Sequence, residues 1–257
     1  MATFLFNEII FGPVQSRRLG SSLGINLLPN DSKVCSFNCI YCECGWTDEN
    51  YHPYFHPREE IRENLRVKLE EMKVNNKPLD TITFAGNGEP TLHPKFDLII
   101  QDTIGIRNRY FPEAQIAVLS NASTIHNRKV FTALKRVDQN ILKLDSAFEK
   151  TVLLLNQPYS GYDHQKTIEN LKRFKEQLII QTMFIKGEYN GIQFDNTTEK
   201  EIDAWLELLK SIKPARVMIY TIARDTPHNG VEAVSQRDLE DIAAKVEDAG
   251  FDVQISA

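Results

Sequence analysis

Short β-rich runs return along this chain at a nearly fixed interval, and no other feature restricts its fold as much. They are INLLP from Ile25, DTITFAG from Asp80, QIAVLS from Gln115, NILKLD from Asn140, IIQTMFIKG from Ile179, ARVMIYTIA from Ala215 and FDVQIS from Phe251. From the second run onward their starts lie 35, 25, 39, 36 and 36 residues apart, the length of one strand-and-helix unit. The stretches between them carry helical periodicity with helix-end signals. Thr198-x-x-Glu201 has the form of a capping box ahead of Ile202, Trp205, Leu206, Leu209 and Ile212, and Pro214 stops that helix. Ser235 caps the next, whose buried stripe is Leu239, Ile242, Ala243 and Val246 before Gly250 ends it. Six strand-helix units and a short last strand result. Such alternation builds a parallel sheet, and this number of units predicts an α/β fold of partial (β/α)6 TIM-like barrel type. A doubly wound open sheet competes, because periodicity does not register closure.

A length of 257 residues with 42% apolar and 25% charged side chains suits one large core, so residues 1–257 are expected to form a single domain. No run approaches the roughly 20 apolar residues needed to span a bilayer. The opening MATFLFNEIIFG has neither a charged n-region nor a small-residue cleavage site. A cytoplasmic location without membrane contact is the expectation. The net charge of -5, from 30 basic and 35 acidic residues, disfavours a nucleic-acid partner.

In parallel barrels the polar groups at the carboxyl ends of strands carry function, since loops converge there on a cavity. Here those positions hold the loop after the first run, then Gly86-Asn87-Gly88-Glu89-Pro90, Ser120-Asn121, Asp145, Lys186 and Arg224. For Lys186 and Arg224 taken alone, ordinary loop polarity is explanation enough. On the fourth run Lys143 and Asp145 share one face while Leu142 and Leu144 take the other. If the leucines meet helices, the charges point inward, where they either pair with each other or meet a polar ligand.

All four cysteines, Cys35, Cys39, Cys42 and Cys44, fall within the loop 30–47, too few and too close for a disulfide framework. Crowded thiolates suit a soft metal centre, with zinc and iron–sulfur as the candidates. Zinc prefers two cysteine pairs separated by a dozen or more residues, and there is no distant second pair. Three cysteines on a short loop suit a four-iron cluster with one iron left open. Cys44 reads as an exposed thiol beside such a centre.

The segment Cys35-Ser-Phe-Asn-Cys39-Ile-Tyr-Cys42, with an aromatic residue before the third cysteine, resembles the signature of the radical S-adenosylmethionine (SAM) superfamily. Ala85-Gly-Asn-Gly-Glu-Pro-Thr-Leu92 is similar to that superfamily's Gly-Gly-Glu-Pro motif, with Asn87 in place of a glycine. The resemblance implies a [4Fe-4S] cluster held by Cys35, Cys39 and Cys42, with SAM on the open iron and a flavodoxin- or ferredoxin-type reductant as partner. It further implies that Gly86, Asn87, Gly88 and Glu89 meet the methionine amino group and Ser120 and Asn121 the carboxylate or ribose. Asp145 would take the ribose and Tyr41 the adenine. The small residues of the Gly86–Glu89 turn would let a ligand approach the backbone.

The opening Phe11-Gly-Pro-Val-Gln-Ser-Arg-Arg-Leu-Gly20, followed by Ser22-Leu-Gly-Ile-Asn26, resembles the wyosine-synthase-like group, whose related members modify a tRNA guanine. With every cysteine in one loop, no second cluster can be built here. Arg17, Arg18, Lys143, Lys186 and Arg224 are candidate substrate contacts, and acidic Glu43, Asp48, Glu49, Glu188 and Asp225 lie among the rim cations. That balance favours a small molecule, peptide or protein over tRNA as substrate. A radical SAM tRNA-modifying enzyme and a non-catalytic iron–sulfur or zinc binding protein are the alternatives.

Overall fold

The computed structural model describes residues 4–47 and 54–256, so Asp48 and Glu49 lie outside the described residues. The chain opens with an antiparallel hairpin, β1 (Ile10–Ser16) and β2 (Gly20–Ile25). Next come α1 (Arg58–Val74), β3 (Thr81–Phe84), α2 (Phe96–Tyr110), β4 (Gln115–Ser120), α3 (Arg128–Leu134), β5 (Gln139–Lys143), α4 (Glu149–Asn156) and α5 (His164–Lys172). The remainder is β6 (Leu178–Met183), β7 (Ile185–Tyr189), β8 (Ile192–Asp195), α6 (Glu199–Ile212), β9 (Arg216–Tyr220), β10 (Val231–Ala233), α7 (Gln236–Asp248) and β11 (Val253–Ser256). The main sheet runs β1-β2-β3-β4-β5-β6-β9-β11, and every neighbouring pair from β2 onward is parallel. Seven parallel strands linked through helices curl into a half-barrel, the partial TIM-like barrel expected.

The two faces of each strand do different work. Outward residues such as Ile82, Phe84, Ile116, Val118, Leu142, Leu144, Ile180, Val217 and Ile219 join the large core under the helices. Leu19, Ala117, Ile141, Ile179 and Met218 form a separate cluster on the inner face. Lys143 therefore points inward, beside Gln181 of β6 in the register. Trp205 on α6 is fully buried, edge-on to Phe184 at 5.3 Å. Burying a side chain of that size stabilises the fold by about 1.5–3 kcal/mol.

Two strand boundaries differ from expectation. The first barrel strand is Gly20–Ile25, upstream of the INLLP run. Its glycine- and serine-rich composition hides it, but space requires that composition: a Cβ on Gly24 would lie 2.0 Å from the Phe11 ring. Ser22 also hydrogen-bonds Thr83 across to β3 at 2.7 Å. The IIQTMFIKG run splits after Met183, and β7 joins β8 and β10 in a separate three-stranded sheet. At α6 only half of the capping box forms, since Thr198 accepts from the Glu201 N–H while the Glu201 carboxylate takes Ser146 and Thr151 hydroxyls at 2.6 Å. Ser235 and Asp238 make the reciprocal box at α7. No helix among the described residues is long and apolar enough to cross a membrane.

Candidate functional site

The cysteine loop leaves the carboxyl end of β2 and is sewn to two other elements. Val34 bridges Gly88, its N–H donating to the Asn87 carbonyl at 2.8 Å while its own carbonyl accepts from Glu89 N at 3.0 Å. On the other side Asn38 N donates to the Asn156 carbonyl at 2.9 Å and Ile40 N to Leu155 at 3.0 Å, fixing the loop to the end of α4. Between these anchors Cys35, Cys39, Cys42 and Cys44 all line one cavity of about 280 Å³. The Phe37 N–H at 3.4 Å and Asn121 Nδ2 at 3.6 Å donate to Cys35 Sγ, and Asn156 Nδ2 donates to Cys39 Sγ at 3.5 Å. Donors aimed at sulfur stabilise it as thiolate.

A buried cation sits behind the thiols. Lys33 is 3% exposed, and its Nζ donates to the Gly45 carbonyl at 2.9 Å and Asn38 Oδ1 at 3.4 Å. Burial would lower its pKa, but the thiols of Cys42, Cys35, Cys39 and Cys44 outweigh burial and raise it. Cys42 is pulled down to about 5, first by a hydrogen bond from Cys44 and then, against burial, by Lys33. Its partner Cys44 is correspondingly pushed up. Burial pushes Cys35 up to about 12 and raises Cys39 as well. Cys44, expected as an exposed thiol, is half-buried and also reaches the Gly86 carbonyl at 3.5 Å.

The Gly86–Glu89 turn lies beside the cysteine loop, and its Gly86, Gly88 and Glu89 line the same cavity. Glu89 is 2% exposed, and its carboxylate accepts from Thr91 N at 3.0 Å, from the Thr91 hydroxyl and from Asn121 N at 2.6 Å. Burial raises its pKa while those hydrogen bonds pull it back. Gly88 has φ +136, and a Cβ there would stand 1.8 Å from the Val34 carbonyl. Its smallness therefore seats the cysteine loop, where the expectation had been close approach by a ligand. Asn87 faces away: its Oδ1 accepts from Phe6 N at 2.8 Å and its Nδ2 donates to Phe6 and Pro29 carbonyls at 2.9 and 2.7 Å. With every polar atom of that amide engaged, Asn87 staples the chain start to the turn and does not line the cavity.

Ser120 and Asn121, at the tip of β4, do line it. At β5, Lys143 lies on the cavity wall, with Nζ 3.0 Å from Tyr41 Oη, 3.4 Å from Tyr220 Oη and 3.5 Å from Asp145 Oδ2. Burial opposes its charge, but Asp145, Tyr220 and Cys39 outweigh burial and hold the ammonium above its ordinary value. Asp145 departs from the expected ribose contact. Its side chain is 0% exposed, and it accepts from Met183 N at 3.0 Å, Asn156 Nδ2 at 2.7 Å and the Tyr41 hydroxyl. Tyr41 lines the cavity with its hydroxyl turned into this network.

Of the remaining substrate candidates only Arg18 reaches the cavity. Arg17 is exposed, Lys186 belongs to β7 in the small sheet, and Arg224 pairs at the rim with Glu43 at 2.7 Å. Sequence reasoning missed Lys33, Asn156, Gln181 and Tyr220. Tyr220 was within reach of the strand-tip rule, since it shares the inner face with Met218 at the end of β9. Asn156 carries no signal, because its role depends on where α4 ends against the loop.

The donor set suits a multi-atom metal group. Cys35, Cys39, Cys42 and Cys44 line one space, and soft sulfur donors suit an iron–sulfur centre. A family model described as the radical SAM superfamily matches residues 30–209, from the cysteine loop into α6. A UPF0026 protein of Helicobacter pylori is 34% identical over 222 residues, covering 84% of this chain and 67% of that protein. A protein of Brachyspira hyodysenteriae named GTPase Obg is 32% identical over 250 residues, 96% of this chain but 34% of its own length, so this chain spans about a third of it. The structure of TYW1 with a lysine-pyruvate adduct bound aligns at a TM-score of 0.62 over 90% of this chain and 75% of that one; at 14% identity the likeness is one of fold. The chain belongs to the radical SAM superfamily and, within it, to the UPF0026 proteins, and it is an enzyme.

Proposed function

We propose that this enzyme holds a [4Fe-4S] cluster on Cys35, Cys39 and Cys42, binds SAM against the Gly86–Glu89 turn, and acts on a small-molecule, peptide or protein substrate in the half-barrel. Superfamily membership implies SAM, an iron–sulfur cluster and a reductant as electron donor. When bound, these groups supply reductive cleavage of SAM to methionine and a 5′-deoxyadenosyl radical that takes a hydrogen atom from the substrate. The observation that carries the reading is one cavity lined both by the three motif cysteines and by Gly86, Gly88 and Glu89.

Each residue then has a defined task. Asn121, Asn156 and the Phe37 N–H orient and stabilise two of the three thiolates, and Lys33 balances their charge from behind. Glu89 offers a carboxylate held rigid by three donors to the amino group of a bound SAM, and Ser120 and Asn121 offer polar atoms beside it. Tyr41 presents an aromatic wall locked through its hydroxyl. A substrate other than tRNA fits the rim, where Arg224 is already paired with Glu43 and Lys186 belongs to the small sheet and does not line the cavity.

Anaerobic reconstitution followed by iron and sulfide counts, visible absorption and 5′-deoxyadenosine formation under reductant tests the chemistry. Four irons per chain, lost in Cys35→Ala, Cys39→Ala and Cys42→Ala but kept in Cys44→Ala, is the expected result. Equal loss in all four variants would overturn the ligand assignment. Filter retention of tRNA at low and physiological salt tests the substrate class, and micromolar affinity with a steep salt slope would restore tRNA.

A further inference from the structure

One cation enters the cavity from the far end of the barrel. Arg18 stands in the β1–β2 turn at the amino-terminal edge of the parallel strands, where its carbonyl accepts from Gln254 Nε2 at 3.5 Å. Its guanidinium nevertheless lies over the ring of Tyr220, 5.0 Å from the centroid, at the opposite end of β9. It lines the same cavity as the cysteines. Its Nη1 is shielded from water and has no hydrogen-bond partner, and no ion pair among the described residues includes it. A shielded charged donor left unsatisfied is costly, and such groups are retained where something else completes them.

The surrounding charges define what that is. Lys143, the neighbouring cation, already has Asp145 at 3.5 Å, so the pair contributes no net charge. Glu89 accepts from Thr91 and Asn121 and Glu43 pairs with Arg224, and neither carboxylate makes an ion pair with Arg18. Of the two cations that line the cavity, Arg18 and Lys143, only Arg18 is without an ion pair among the described residues. A guanidinium is planar, and its forked N–H edge matches the two oxygens of a carboxylate.

We propose that Arg18 is the anion-recognising residue of this site and that the substrate is a small molecule bearing a single carboxylate. Its meaning as a substrate subsite rests on the function proposed above. A phosphate dianion would need a second free cation, which the Lys143–Asp145 pair withholds.

Titration calorimetry on purified wild type, Arg18→Gln and Arg18→Lys tests this with acetate, propionate, benzoate and inorganic phosphate as probes, with iron content and SAM affinity measured on the same samples. Wild type is expected to bind at least one carboxylate saturably. Arg18→Gln should weaken it about tenfold or more, and Arg18→Lys, which keeps charge but loses the planar fork, roughly three- to tenfold. SAM affinity should hold within about twofold. If Arg18→Gln does not fold, Arg18→Lys decides alone, and unchanged carboxylate affinity in it overturns the proposal. No carboxylate binding by a wild type that does bind SAM also overturns it, as does phosphate binding more tightly than every carboxylate. So does SAM affinity falling in step with Arg18, which would make the methionine carboxylate the anion. A wild type that takes up neither iron nor SAM yet binds carboxylate through Arg18 leaves the subsite standing and refutes the radical chemistry.

Discussion

Replacing Gly88 with alanine should cost the protein its cysteine loop before it costs any ligand contact. At φ +136 an alanine carries backbone strain of about 1–3 kcal/mol. Its Cβ would also stand 1.8 Å from the Val34 carbonyl, a backbone atom with no rotamer to change. Relieving that clash moves Val34, at about a further 1–3 kcal/mol of overpacking. The movement breaks the paired Val34 N–H to Asn87 and Glu89 N–H to Val34 hydrogen bonds, the seam on which Cys35 is placed. With about 2–4 °C per kcal/mol in a chain of this size, the thermal midpoint of the apo protein falls by roughly 5–20 °C. Differential scanning fluorimetry of apo Gly88→Ala, with iron counted after reconstitution, is the assay. A midpoint within about 2 °C of wild type together with full iron uptake would show that the turn and the loop are not mechanically joined.

Three further outcomes follow from the same geometry. Alkylation of Cys42 in the apo protein, followed by mass spectrometry, should be nearly flat with pH between about 6 and 8, because a thiol at about 5 is already thiolate there; Cys35, at about 12, should lag throughout. A Cys42 rate that rises about tenfold per pH unit would contradict it. Lys33→Met takes the donor from the Gly45 carbonyl and the cation from four thiols, so the urea midpoint should fall by the equivalent of about 1–3 kcal/mol and Cys42 alkylation below pH 7 should slow; no change in either would count against the buried charge. Gly105→Ala, on the exposed face of α2 with open space at its Cβ, should raise stability by about 0.5–1 kcal/mol, and a lowered melting temperature would refute this.

How much of this was legible follows from the range over which each signal acts. Strand alternation is local, so the inward placement of Lys143 opposite Leu142 and Leu144 is written in five residues and appears as such. The cysteine loop and the Gly86–Glu89 turn are short motifs that end up facing each other because adjacent parallel strands must put their carboxyl ends side by side. What the sequence does not display is satisfaction. Asp145 was placed on a ligand from its position at a strand tip and Asn87 from its motif, and both turn out to be engaged by protein partners, donors to the Asp145 carboxylate and carbonyl acceptors for the Asn87 amide. Arg18 was legible only as one half of a basic pair with Arg17: it starts at the amino-terminal end of the barrel, and the length of its side chain brings it to the Tyr220 ring and the cavity. β2 escapes composition because glycine and serine there answer to the Phe11 ring and to Thr83.

The amide of Asn156 reaches Cys39 Sγ at 3.5 Å and, both at 2.7 Å, Tyr41 Oη and Asp145 Oδ2. Two protons on one nitrogen thus serve a sulfur on the metal side and the acid that partners Lys143 on the organic side. Electron delivery and substrate choice are properties that selection would adjust separately if it could. In the function proposed above they would share a single side chain, so a substitution of Asn156 would be felt at a cluster ligand and at the Lys143–Asp145 pair together.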